Sequence, residues 1–168
     1  MKKNDLMFVM QRIDTTIEIT NNKAALLLGF NTFLIGAMVS MITKIKNFVD
    51  SNFILLILSV FIISSLFVSC VLSILAIIPK LKYHDKGHEY RSLIFFGSIA
   101  KLKTEDFHDY TKNTTEIDFE KDIKIQIVQL ARIASEKYAK LTSSIYCILF
   151  GFILPMCLGL LVVVLGGV

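Results

Sequence analysis

Three stretches of this chain, residues 24–43, 51–79 and 141–168, contain no Asp, Glu, Lys or Arg. A helix needs about 20 predominantly apolar residues to cross a hydrocarbon core of about 30 Å, and each stretch is long enough. Composition agrees: 54% of the 168 residues are hydrophobic and only 19% charged, against about 25% charged in soluble domains. A disordered chain, a secreted disulfide scaffold and an ordinary soluble enzyme are excluded. The first stretch is too long and too far from the N-terminus for a secretory h-region. Cys70, Cys147 and Cys157 all fall inside the apolar stretches without CxxC spacing, so they read as small apolar residues rather than ligands or a redox pair. The expected fold is an all-α integral membrane protein of three transmembrane helices with a helical cytoplasmic layer. Its segments are 1–23 (a helix leading into the first span), 24–43, a short external loop 44–52, 53–79, a cytoplasmic segment 80–140, and 141–168.

Basic residues set the expected orientation. Placing the N-terminus and residues 80–140 in the cytoplasm puts 16 of the 18 Lys and Arg on the inner side, as the positive-inside bias requires. The chain is expected to cross its membrane three times.

Outside the spans the pattern is helical. Leu6, Val9, Met10, Ile13 and Ile17 recur at helical spacing ahead of the first span. Phe119, Ile123, Ile127, Leu130, Ala134, Tyr138 and Leu141 do so ahead of the third. Thr114 and Thr115 precede Glu116 and Asp118, an N-cap followed by acids in the first turn. With no Gly between Gly97 and Gly151, residues 116–154 are expected to form one rod of about 58 Å at 1.5 Å per residue. Thr104, Glu105 and Asp106 read as the start of a short helix to about Lys112. The run from Arg91 to Ala100 is too short to span and fits a buried helical turn, a strand or a surface-skimming segment, which periodicity does not separate.

Little in the sequence supports catalysis, and no catalytic residue, metal or cofactor is expected. His84, Asp85, Lys86, Gly87 and His88 approximate the H-E-x-x-H zinc motif, with His108 a conceivable third ligand. A Gly interrupts that stretch, however, and Lys80, Lys82, Lys86 and Arg91 surround it. The same basic cluster, with Tyr83 and Tyr90 interleaved, has two readings. One is headgroup anchoring beside a span. The other is an anion site in which cations meet a phosphate and a ring stacks on a base. Inside the membrane, Asn31 needs a hydrogen-bonding partner. Gly36 with Ser40, and Ser65 with Ser69 and Ser73, form small-residue stripes suited to close helix approach within or between subunits.

Taken in order, several segments resemble a known family. These are Arg12 to Asp14, Asn22 to Leu28 at the mouth of the first span, Ser92 to Ala100, Thr104 to Phe107, and Lys137 to Leu141. Together they resemble the Pycsar transmembrane effectors of bacterial anti-phage systems. The resemblance implies an effector located in the bacterial inner membrane, acting beside a cyclase that makes a cyclic mononucleotide, cCMP or cUMP, and then impairing that membrane in abortive infection. The partners it implies are that nucleotide, lipid and further copies in a homo-oligomer, with no nucleic acid. Candidate nucleotide contacts are Lys86, Arg91 and Lys101 for phosphate and Tyr90, Phe95 and Phe96 for the base. Candidate association residues are Asn31, Gly36, Ser40, Ser65, Ser69 and Ser73. The alternative is a non-gated scaffold or accessory subunit without its own ligand.

Overall fold

The structure, a computed structural model, describes residues 3–44, 53–79 and 92–165. The described residues are mostly helical and include no strand: α1 (Lys3–Lys44), α2 (Phe53–Ile77), α3 (Phe96–Ile99), α4 (Thr104–Asn113), α5 (Glu116–Ile148), a π turn (Leu149–Ile153) and α6 (Leu154–Leu165). Three helical stretches are long and apolar enough to cross a membrane: α1, α2, and the run Glu116–Leu161, with best-window mean hydropathies of 2.0, 2.8 and 2.2. The chain divides into two compact units. One holds Met1–Glu18 and Pro79–Ser135; the other holds Ile19–Ile78 and Glu136–Val168.

The second unit is the apolar one. Its α2 buries Ile62, Leu66, Ser69, Ser73 and Ala76, steps of four and three that repeat every seven residues. On the facing helix Lys137, Leu141, Ser144, Ile148 and Gly151 continue the same alternation. Such a 3.5-residue period gives knobs-into-holes packing. Met38, Ile62, Leu66 and Ile148 form one cluster, and Ala24, Ala76 and Leu141 another. Large apolar side chains such as Leu26, Phe33, Phe53 and Phe67 point outward, as suits a lipid solvent.

Lipid tails are as apolar as leucine, so burial alone drives little association between spans, and packing with polar contacts must supply it. Ser144 is the meeting point. Its hydroxyl donates to the Ser69 carbonyl at 2.9 Å, and the Ser69 hydroxyl donates to the Ser144 carbonyl at 2.9 Å. The Ser73 and Ser144 hydroxyls lie 2.8 Å apart, and Asn31 Nδ2 donates to Ser69 Oγ at 2.7 Å. Asn31 and all three serines are fully buried. Interhelical bonds of this kind contribute about 0.6 kcal/mol each, with a maximum of about 1.7.

Lys137 closes the end of this seam. Its Nζ donates to Asn21 Oδ1 at 2.9 Å and to the carbonyls of Ala76, Ile77 (3.1 Å) and Ile78 (3.3 Å). Lys140 Nζ reaches the Leu75 carbonyl at 3.3 Å. The last carbonyls of a helix lack intrahelical donors and carry its negative end, so two ammonium groups suit the C-terminus of α2.

The expected unbroken rod over 116–154 is helical throughout but changes its winding. At Leu149–Ile153 the helix widens into a π turn, and the Leu154 N–H bonds the Leu149 carbonyl. Pro155 supplies the reason, because proline has no N–H and its ring collides with the carbonyl four residues back, here Gly151. Ser65 lies against the widened turn and its hydroxyl donates to the Cys147 carbonyl at 2.8 Å. A Cβ at Gly151 would stand 1.6 Å from Ser65 Oγ and 2.3 Å from Ser65 Cβ, but an ordinary 3.7 Å from Ser65 Cα. Overpacking of this kind costs about 1–3 kcal/mol. Gly151→Ala is therefore expected to lower the melting temperature of the detergent-solubilised protein. The double variant Ser65→Gly/Gly151→Ala recovers part of that loss; absence of any recovery removes the Ser65 contact as the cause.

Candidate functional site

The first unit carries a polar cluster around Ser92, at the end of the run whose conformation the sequence left open. Residues 92–95 precede the single turn α3, so the run resolves as a turn and not as a strand. The Ser92 hydroxyl accepts from the N–H groups of Ile94 (3.2 Å) and Phe95 (2.9 Å), the local serine turn that competes with regular helix. It also accepts from Gln126 Nε2 at 3.1 Å and donates to Asp122 Oδ2 at 3.0 Å. The Leu93 N–H donates to the same Asp122 oxygen at 2.8 Å. Asp122 and Gln126 lie one turn apart on α5, so one helical face grips the whole turn.

Asp122 is 4% exposed, and its Oδ1 has no hydrogen-bond partner among the described residues. Asp122 is also among the residues that line a cleft of about 230 Å³. Leu93 and Phe119 give the cleft its apolar part; Tyr110, Asn113, Thr114, Asp118 and Asp122 give the polar part. None of these residues is a cation.

The start of α5 shapes one side of the cleft, and its capping is as the sequence predicts. Thr115 Oγ1 accepts from the Asp118 N–H at 3.2 Å, while Asp118 Oδ2 accepts from Thr115 Oγ1 at 2.6 Å and from its N–H at 3.4 Å. This reciprocal arrangement is a capping box with Asp in place of Glu. The Thr115 hydroxyl and N–H, with Lys121 a lesser influence, hold the Asp118 carboxyl below the ordinary aspartate range. Glu120 is likewise held low by its hydrogen bond and ion pair with Lys124 at 2.8 Å. Lys3 Nζ stands 5.0 Å from the centre of the Phe119 ring, which fixes the start of α1 against that of α5.

The candidate nucleotide residues read from sequence are distributed otherwise. Lys86, Tyr90 and Arg91, with His84 and His88, lie outside the described residues. Phe95 and Phe96 are neighbours with ring centres 5.1 Å apart, Phe96 largely exposed. Lys101 is exposed in the turn after α3. None of Phe95, Phe96 and Lys101 lines the cleft beside Asp122. Among the described residues no group of three His, Cys, Asp or Glu is placed to hold a metal. Asn31, Ser65, Ser69 and Ser73 make their contacts within the chain, whereas Gly36 has open space around it and Ser40 is exposed.

Sequence reasoning missed Ser92, Asp122 and Gln126 as a unit. The available signal was Asp122 and Gln126 at i, i+4 on the otherwise apolar face that carries Phe119, Ile123 and Leu130. With the geometry in place, comparison with known proteins decides the lineage. The sequence matches the Pycsar effector protein domain over residues 5–166. The chain belongs to that family. It is a multi-pass membrane protein and an anti-phage effector linked to a cyclic-nucleotide signal from a partner cyclase. No curated protein and no solved structure matches it.

Two outcomes follow for this unit. Ser92→Ala leaves three donors and Asp122 without their common partner, a loss of about 1–3 kcal/mol, read as faster amide exchange at Ile94 and Phe95. For Asp118, the folded-state carboxyl titrates below its unfolded value, so its contribution is complete above the ordinary aspartate pKa and is lost as pH falls through the lower, folded one. Thr115→Ala, which removes the hydroxyl but keeps the backbone N–H, is expected to raise the Asp118 titration, followed by carboxyl NMR, towards the ordinary range; an unchanged titration rules out the Thr115 hydroxyl as the main cause.

Proposed function

We propose that this effector is a non-enzymatic sensor that binds a cyclic mononucleotide, cCMP or cUMP, on the cytoplasmic side. Ligand-bound copies then assemble and impair the inner membrane. The N-terminus and the 80–140 segment face the cytoplasm in this reading, which rests on the distribution of Lys and Arg. The observation that carries it is the closed seam of the apolar unit. Asn31, Ser69, Ser73 and Ser144 are fully buried and hydrogen-bonded to one another, with Asn31 Oδ1 alone among their side-chain polar atoms lacking a partner among the described residues, so the packed spans of one chain present no continuous polar path along that seam. Impairing a bilayer therefore calls for several copies. Gly36 and Ser40, exposed on α1, offer a small-residue face for such association.

Ligand action requires a difference in affinity between two arrangements of the protein. The helices α1 and α5 each contribute to both units, which gives a shift of the ligand-binding unit a covalent route to the spans. Liposomes containing the purified protein are expected to release trapped dye when cCMP or cUMP is added inside the compartment facing residues 80–140. Failure of both nucleotides to bind or to cause leakage removes the direct-sensor reading.

A further inference from the structure

The apolar unit is not packed solid. Towards the ends of its spans remote from Lys137 lies a groove of about 100 Å³, whose walls include Met38 and Met41 of α1, Ser59 and Ile62 of α2, and Met156 and Gly159 of α6. Its floor is deep, since Met38 is 8% exposed and Ile62 4%, while Met41 at the rim is 44% exposed. Such a lining does not suit water. Ser59 donates its hydroxyl to the Leu56 carbonyl of its own helix at 2.8 Å, and the methionine and isoleucine side chains offer no strong hydrogen bond. A water needs two to four polar partners, whereas apolar cavities of about 150 Å³ stay dry and take apolar guests. Gly159 helps to leave the space open: a Cβ there would meet nothing within 4 Å.

What stands at the mouth of the groove is set by the solvent of the spans. All three walls belong to helical stretches long and apolar enough to cross a membrane, and residues such as Phe33 and Phe67 turn outward, so the rim is continuous with the lipid-facing surface. A void leaves its lining atoms without contacts on one side, and a guest that fills it restores them. Sites that enclose whole drug-sized ligands run from about 300 to 1,000 Å³. This groove is smaller, so its occupant is one part of a molecule whose remainder stays in the bilayer. Gly159 follows Lys137 by 22 residues, roughly 33 Å of helix, which is about the thickness of the hydrocarbon core. Lipid reaching the groove therefore comes from the leaflet opposite Lys137. We propose that the groove is a lipid site, in which a single acyl chain of a phospholipid from that leaflet inserts between α1, α2 and α6. Met38, Met41 and Met156, unbranched and polarisable, suit such a flexible guest. The inference rests on the membrane location of the spans and is independent of nucleotide sensing.

The test places the full-length protein in nanodiscs of phosphatidylglycerol and phosphatidylcholine that carry a photoreactive diazirine part-way along one acyl chain. After irradiation the labelled residues are mapped by mass spectrometry. Bulk lipid reaches outward side chains such as Phe33 and Phe67 in any case, whereas label on Met38 and Ile62 requires a chain inside the groove. The wild type is expected to carry both sets of label. Gly159→Leu fills the groove from α6 and Ser59→Leu fills it from α2; each is expected to lose the label on Met38 and Ile62 while keeping it on Phe33 and Phe67. Gly29→Leu adds the same bulk at another position with open space around it, away from the groove, and should label as the wild type does. Absence of label from Met38 and Ile62 in the wild type overturns the proposal, whether a second copy, another segment of the chain or nothing takes the space. Persistence of that label in both filled variants overturns it equally.

Discussion

Polar groups placed in hydrocarbon have to find their partners inside the protein, and in this chain the contacts around Ser144 supply them across the three spans, with Asn31 Oδ1 the exception among the described residues. Ser69 and Ser73 from α2 and, through Ser69, Asn31 from α1 converge on it. Because each group has its donor or acceptor supplied by a different helix, the register of the spans is fixed by hydrogen-bond geometry, which apolar packing alone defines only loosely. The apolar clusters above and below this layer then follow the seven-residue alternation that the serines already occupy. Lys137 performs the comparable task at the end of α2, where carbonyls that the helix itself cannot satisfy receive an ammonium group.

The spans, their number and the helical character of the rest were readable from the sequence because each rests on a local property. Twenty residues without a charge need no knowledge of tertiary structure to be recognised, nor does Thr115 three residues ahead of Asp118. The π turn was not read in advance, although Pro155 and Gly151 were visible four residues apart. Whether proline kinks, bends or widens a helix depends on what lies opposite, here Ser65. The polar cluster was missed for a similar reason. Ser92 and Asp122 are thirty residues apart, and nothing in either segment indicates that they meet. A basic and aromatic stretch attracted attention instead, since charge clusters are conspicuous in a string of letters and a lone buried acid is not.

The two units solve opposite solvent problems with related means. In the apolar unit hydroxyls are consumed in pairs and the outward surface is left to leucine, phenylalanine and valine. In the other unit a single serine hydroxyl accepts from three donors and donates its own hydrogen bond to Asp122, holding the turn before α3 on one face of α5. The first arrangement ties spans to one another; the second ties an irregular turn to a helix.

The widened turn at Leu149–Ile153 also bears on how this span tolerates changes in chain length. A π turn is an α-helix carrying one surplus residue in a single turn. Losing a residue elsewhere in α5 would rotate everything beyond it by about 100°, bringing lipid-facing side chains into the bundle. Losing one within the turn would leave the remainder of the helix in phase, so this is the position at which the third span can shorten and still present the same face to its neighbours.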